Sequence, residues 1–372
     1  MMKILLAGGG TSGHVLPALS VGQAIREQKP KIRLLFIGST KKADRTLVDA
    51  AGFDFVAIPA GKLRRYFDFQ NFIDIFKTIA GFFVASWYIV RFWPDRVFVK
   101  GGFVGVPVGI AAWLFRRPLI IHESDVKVGL ANRILMPLAS WVCLSFPLDG
   151  YNLSPAVYKK SIHTGLPINS IFYEKEIENN IGIPLSPSYP LILVIGGSQG
   201  ASAINTVIRA SLPSLVQNYQ IFHISGKGDF DELKDWAEVE RFRNYFLFSG
   251  LSNDQIAFLM RKAAIVISRA GATAISEIAA SAKPAILVPL PGSASNHQEA
   301  NADYLEEKQA AIVVDQENLN TEIMQEIFAK VLGSDLGHRL IFNIKSLSSP
   351  ESAVNIASLV IDNKIFDPDE EF

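Results

Sequence analysis

Short apolar runs ending in glycine alternate with amphipathic stretches along the whole chain. KILLAGG (3–9), RLLFIGS (33–39), RVFVKGG (96–102), PLIIHES (118–124) and WVCLSF (141–146) are continuous enough to read as strands buried on both faces. Between them lie stretches with apolar residues at helical spacing, such as PALSVGQAIREQ (17–28). The rhythm restarts at YPLILVIGGSQG (189–200) and continues through QIFHISG (220–226), YFLFSG (245–250), AAIVISRAG (263–271), PAILVPLP (284–291) and AAIVVDQ (310–316). Such alternation predicts parallel sheets covered by helices. Each half opens on an apolar strand entering a glycine-rich turn, which predicts an α/β protein of two Rossmann-like, doubly wound lobes facing a cleft. The first lobe is expected over 1–163 and the second over 164–349, with a helix near 350–365 packing back on the first. The Pro- and Ser-rich stretch NNIGIPLSPSYP (179–190) marks the loose seam between the two rhythms. Ligands of such sheets bind beyond the carboxyl ends of the strands, so those loops hold the candidate chemistry.

The length agrees with two lobes, since 372 residues exceed what one core usually serves. The single cysteine, Cys143, excludes an intrachain disulfide and reads as a small buried apolar residue in a reducing compartment. Formal net charge is zero, but residues 1–160 hold 21 Lys and Arg against 10 Asp and Glu, and the remainder holds 15 against 26. The basic half points to an anionic partner: lipid, pyrophosphate or nucleic acid. No nucleic-acid-binding motif is present, and no nucleic acid is expected.

The start, MMKILLAGGG, turns glycine-rich too soon for a signal peptide. The apolar stretch 78–90, TIAGFFVASWYIV, falls short of the ~20 residues that span a bilayer. A spanning helix is not expected, and the chain reads as soluble or peripheral. Around that stretch, segment 62–93 combines Arg64 and Arg65 with Phe67, Phe69, Phe82, Phe83 and Trp87. One reading is a helix packed wholly into its lobe. The other is a reversible anchor on an anionic membrane surface, because one lobe does not readily bury so many aromatics.

The first glycine-rich turn reads Gly8-Gly9-Gly10-Thr11-Ser12-Gly13-His14. Glycines let the backbone approach a ligand, and the following helix N-terminus favours an anion. Gly8, Gly10 and Gly13 also satisfy a dinucleotide fingerprint. That reading needs an acid at the end of the second strand, where IGSTKK (37–42) has none, although Lys41 and Lys42 would suit a 2′-phosphate. His14 is either a capping or packing residue or, beside a sugar, a general base.

The second turn, Gly196 to Ala201, offers backbone N–H groups and the Ser198 hydroxyl to a diphosphate, or is an ordinary strand–helix turn. In SRAGATAISE (268–277), the helix start and Arg269 suit a phosphate. Glu277 can accept hydrogen bonds from two vicinal ribose hydroxyls, or is a solvated helix residue. In PLPGSASNHQEANA (289–302), Asn296, His297, Gln298 and Asn301 are neutral groups suited to sugar hydroxyls. No cluster has metal-ligand spacing, so neither metal nor cofactor is expected. Arg269 and helix dipoles would replace a cation at a leaving diphosphate.

GGGTSGH, GGFVGVP (101–107), HESD followed by GLAN (122–132), TGLP (164–167), GGSQGA, SRAGATAISE and NHQEANA occur in this order across nearly the whole chain. Together they resemble the MurG family. The resemblance implies a GT-B fold and inverting, metal-independent transfer of N-acetylglucosamine. The donor would be UDP-N-acetylglucosamine. The acceptor would be a polyprenyl-pyrophosphate-linked MurNAc-pentapeptide, glycosylated at its C4 hydroxyl on the cytoplasmic face of the membrane. The second lobe would hold the donor and the first the acceptor.

Matching positions imply His14 as base. Thr11, Ser12, Gly13, Asp125, Ser198, Gln199, Arg269, Ala272, Thr273, Ala274, Ile275, Ser276, Glu277, Gln298 and Asn301 would lie at the donor. Phe103, His122, Glu123 and Asn132 would lie at the acceptor. The chain departs from the family pattern where HEQN reads His122-Glu123-Ser124-Asp125, so that Asp125 replaces an amide facing the donor sugar. It departs also at Ser12, Phe103 and Asn169. Other readings of the same fold are transfer to a different lipid, a UDP-sugar 2-epimerase and a nonenzymatic UDP-sugar sensor.

Overall fold

The computed structural model describes residues 1–61, 69–196, 200–240 and 242–363. It divides into two compact units, Met1–Ile168 with the segment from Ser349 onward, and Asn169–Ser348. The Pro- and Ser-rich stretch 179–190 therefore lies inside the second unit, as its irregular approach to the first strand.

In the first unit, β1 (Lys3–Ala7), β2 (Arg33–Ser39), β3 (Asp54–Ile58), β4 (Arg96–Val99), β5 (Leu119–Glu123), β6 (Trp141–Leu144) and β7 (Ser161–His163) form one sheet, ordered β3-β2-β1-β4-β5-β6-β7. All pairings are parallel; Leu5 on β1, for example, stands beside Leu35 on one side and Val97 on the other. The helices are α1 (Ser12–Gln28), α2 (Lys42–Ala50), α3 (Phe69–Phe92), α4 (Gly105–Leu114), α5 (Leu130–Leu135) and α6 (Pro155–Tyr158). Strand order reverses between β1 and β4, the position where open α/β sheets hold ligands.

Helix α3 is longer than the apolar run 78–90 suggests. Its stretch Phe72–Phe92 has the length and composition of a membrane span. It nonetheless links β3 to β4 within one sheet and packs along α4, with Gly81, Ala85 and Ile89 buried. Both ends are thus tied to the same sheet, so the helix lies against the unit as a crossover.

The second unit holds β8 (Leu191–Ile195), β9 (Gln220–Ile224), β10 (Tyr245–Phe248), β11 (Ile265–Ser268), β12 (Ala285–Leu287) and β13 (Ile312–Val313), ordered β10-β9-β8-β11-β12-β13 and parallel throughout. Its helices are α7 (Ser202–Leu215), α8 (Phe230–Glu240), α9 (Asn253–Lys262), α10 (Ala272–Ser281), α11 (His297–Glu307), α12 (Thr321–Val331) and α13 (Asp335–Lys345). Here the order reverses between β8 and β11. Ile192, Val194, Ile204, Ile208, Ile265 and Phe328 are among the residues that fill this core.

The chain ends its described part on α14 (Ser352–Asp362), which packs on α1 of the first unit. Ile356, Ala357 and Val360 join the core formed by Ile4, Leu6, Val21 and Phe98. Gln28 at the end of α1 donates to the Val354 carbonyl at 3.1 Å and accepts from Ser358 at 3.2 Å.

Candidate functional site

At the switch point of the first unit, the turn after β1 is pinned from several sides. The Asp44 carboxylate is buried and accepts from Gly10 N (2.8 Å), Ser39 N (3.2 Å) and Ser39 Oγ (2.6 Å). Lys41 Nζ donates to the Gly10 carbonyl at 2.6 Å, which commits it to the loop rather than to a phosphate. Gly10 has φ +91° and lies against the Phe103 ring; a Cβ there would sit 2.3 Å from Phe103 Cε1. Phe103 therefore supports the glycine turn from below. Thr11, in extended conformation, caps α1 and is exposed with Ser12, followed by Gly13 and the partly buried His14. The His14 imidazole packs over Gly102, where a Cβ would come within 2.9 Å of His14 Cδ2. Glycine at 102 thus makes room for the ring.

The segment His122–Asn132 is held by its own buried polar groups. His122 is fully buried, and its Nε2 bonds to the Gly165 carbonyl at 2.9 Å. Burial, reinforced by the nearby Lys100 charge, holds its pKa well below the usual histidine range, so it is neutral. The buried Glu123 carboxylate accepts from Ser124 N (2.8 Å), Asp125 N (3.1 Å), Gly129 N (2.9 Å) and Asn132 Nδ2 (3.0 Å). Burial, and secondarily the Asp125 charge, raises its pKa. Asn132 is buried too, its amide donating also to the His122 carbonyl at 3.0 Å. His122, Glu123 and Asn132 therefore shape the loop that presents Ser124 and Asp125. Ser124 and Asp125 remain partly exposed.

In the second unit, Ser198 and Gln199 lie outside the described residues. The second unit also holds a buried polar chain that the sequence motifs do not reveal. His223 bonds to Tyr245 Oη through Nδ1 (2.9 Å) and to Asn205 Oδ1 through Nε2 (2.8 Å). Asn205 Nδ2 donates in turn to Asp229 at 2.6 Å and to the Ser225 carbonyl at 3.0 Å. Burial pushes the His223 pKa down to about 3, so this histidine is a neutral structural link.

Helix α10 starts at Gly271, which has no side chain to cap the first-turn N–H groups. Ala272, Ile275, Ile278 and Ala279 form its buried face, so the Ile275 side chain belongs to the core and its N–H is bonded to the Gly271 carbonyl at 3.0 Å. Thr273, Ala274 and Glu277 share the more open face, as their i, i+3 and i+4 spacing requires. The surrounding protein strips water from the Glu277 carboxyl and pushes its pKa up to about 8. Arg269 is partly buried. Its guanidinium donates to the carbonyls of Val288 (3.1 Å) and Pro289 (3.2 Å) and to Gln316 Oε1 (2.8 Å), bracing the loop after β12. Gln298 Oε1 accepts from Leu290 N at 3.0 Å in that loop, and Asn301, fully buried, donates to the Ala270 carbonyl at 3.1 Å. Among the described residues, no group of three or more His, Cys, Asp or Glu side chains is gathered for a metal.

Two parallel α/β units, each reversing its strand order at a switch point, define a class matched by known families. The glycosyltransferase family 28 N-terminal domain matches residues 4–143, and the glycosyltransferase family 28 C-terminal domain matches residues 191–337. A curated protein of Clostridium botulinum (strain Langeland / NCTC 10281 / Type F) is 37% identical over 328 residues, covering 88% of this chain and 90% of that protein. Its name is UDP-N-acetylglucosamine--N-acetylmuramyl-(pentapeptide) pyrophosphoryl-undecaprenol N-acetylglucosamine transferase. A protein of the same name from Clostridium novyi (strain NT) is 37% identical over 361 residues, 96% of this chain and 98% of its own. The crystal structure of Acinetobacter baumannii MurG shares the fold with a TM-score of 0.77 at 24% identity, covering 97% of this chain and 99% of that one. The chain belongs to the MurG family of glycosyltransferases.

Proposed function

We propose that this protein transfers N-acetylglucosamine from UDP-N-acetylglucosamine to a lipid-linked MurNAc-pentapeptide, completing the disaccharide of a peptidoglycan precursor. The observation that carries the reading is 37% identity held over 96% of the chain to a curated transferase of that name. In this reading the first unit serves the acceptor, with His14 as base, and works at the cytoplasmic face of a membrane. The second unit serves the donor. First-turn N–H groups of α10 meet the diphosphate, Glu277 takes the ribose hydroxyls, and Arg269 and Asn301 hold the surrounding loops in place. Incubation with radiolabelled UDP-N-acetylglucosamine and the lipid-linked acceptor, followed by mass analysis, tests it. A lipid-linked disaccharide should form equally with and without EDTA, because helix dipoles stand in for a cation at the leaving group. Donor hydrolysis without transfer, or a UDP-sugar epimer as product, would refute the proposal.

The raised pKa of Glu277 gives the donor site a pH signature. Ribose hydroxyls need the ionised carboxylate as acceptor, while the empty site favours the protonated form up to about pH 8. Donor binding should therefore release a proton near neutrality, and affinity should rise with pH until about 8 and then level off. Glu277→Ala should abolish this dependence and weaken binding by ~1.5–3 kcal/mol, the range for a charge-assisted hydrogen bond. Calorimetry in buffers of different ionisation enthalpy measures both. A pH-independent affinity in the wild type would remove Glu277 from the ribose.

A further inference from the structure

Lys100 is a charged side chain in the interior of the first unit, only 1% exposed. It follows β4 at the switch point, with its N–H bonded to the Ala7 carbonyl at 2.9 Å. Its ammonium donates to the Ser124 hydroxyl, and Glu123 and Asp125 are the acids that act on it. His122 and Cys143, on the neighbouring β5 and β6, bring no compensating charge: His122 is held neutral, and the Cys143 thiol is pushed up to about 12 by burial. From the β1 side it meets Gly8, next to the backbone of His14. Burial lowers the Lys100 pKa to about 8 against the attraction of the two acids.

A buried ammonium is costly unless it is paired and hydrogen-bonded. This chain keeps one against the HESD loop, where the Ser124 hydroxyl accepts its hydrogen bond and Glu123 and Asp125 supply negative charge. Resting on the glycosyltransferase reading, we infer that Lys100 is a positioning residue whose ammonium holds Ser124 by a hydrogen bond and Asp125 by charge, fixing the loop that presents both to the substrate. A carboxylate only accepts hydrogen bonds, while the amide it replaces both donates and accepts. Position 125 then selects hydroxyl or N–H groups on the sugar, and its placement depends on protonated Lys100.

The test is a double-mutant cycle on transfer rates between pH 6 and 10, with wild type, Lys100→Met, Asp125→Asn and the double variant. Lys100→Met should lower kcat/KM roughly tenfold to a hundredfold at pH 7, and the same change in the Asp125→Asn background should have little further effect. Lys100→Gln keeps a donor for Ser124 without the charge and should behave as Lys100→Met. The wild-type rate should fall as pH rises through about 8, and both Lys100 variants should lack that limb. Equal losses in the two backgrounds, or an unchanged alkaline limb in Lys100→Gln, would overturn the inference. A wild type inactive at every pH would overturn the glycosyltransferase reading instead.

Discussion

Replacing His14 by alanine is expected to lower kcat for sugar transfer by roughly 10²–10⁴-fold, the range for loss of a positioned general base, with donor affinity unchanged. Its surroundings support that role and survive the substitution. The turn before it is fixed by Asp44 and Lys41 and supported by Phe103, and the ring packs over a position where any side chain would collide with it. The alanine variant therefore leaves an intact loop without its imidazole. Stopped-time transfer assays at saturating substrate, paired with UDP calorimetry, separate chemistry from binding. Near-normal kcat would place the base elsewhere. Glu123 is a poor substitute, since each of its two oxygens already accepts two donors. Asp125 would then be the remaining carboxylate on that loop.

The parts of the fold that sequence pattern discloses are its apolar runs, most of which lie inside their sheets. β1, β2, β4, β5, β8, β9 and β11 lie inside their sheets and appear as unbroken apolar runs. β3 and β7, partly buried edge strands, do not stand out, whereas the edge strands β10 and β13 do, since their runs YFLF and AAIVV are apolar throughout. A fully buried strand also hides which way its polar residues point. HESD is recognisable as a motif, yet spacing alone cannot distinguish a glutamate that meets a substrate from one that organises its own loop. The same applies to Arg269 and Asn301, which brace loops from within. Asp44 and Lys41 reach the glycine turn from more than thirty residues along the chain, so no local motif contains them. Lys77 and Asp74 interrupt the apolar run within α3 but pair with each other at 3.2 Å, with Asp74 buried.

Substituting Phe76, Phe83 and Trp87 together by serine is expected to release the protein from anionic liposomes while sparing donor binding. The inner face of α3 is used by Gly81, Ala85 and Ile89. The outer face carries Phe72, Phe76, Ile79, Phe83, Trp87 and Val90, a stripe at helical spacing with Phe76 62%, Phe83 65% and Trp87 55% exposed. Phe82 is turned partly inward. Arg64, Arg65 and Phe67 lie outside the described residues, as does the side chain of Phe69, so the argument rests on the helix itself. Trp93, Trp113 and Leu114 add exposed apolar surface at the ends of α3 and α4. Cations border the stripe, with Arg91 over the Trp87 ring at 5.4 Å and Arg117 over Trp93 at 4.4 Å. Apolar side chains ringed by basic ones are the pattern of a helix lying in the membrane interface. Full burial of each of the three aromatics is worth ~1.5–3 kcal/mol; about half remains to be gained here, so the triple variant should lose ~3–4 kcal/mol, roughly a hundredfold to a thousandfold in partitioning. Each nearby cation adds ~1 kcal/mol that salt screens, so wild-type binding should weaken as ionic strength rises. Liposome flotation at low and high salt measures both effects. If wild type and variant float equally at low salt, α3 is not the docking surface; if neither floats, the acceptor is better sought among soluble molecules.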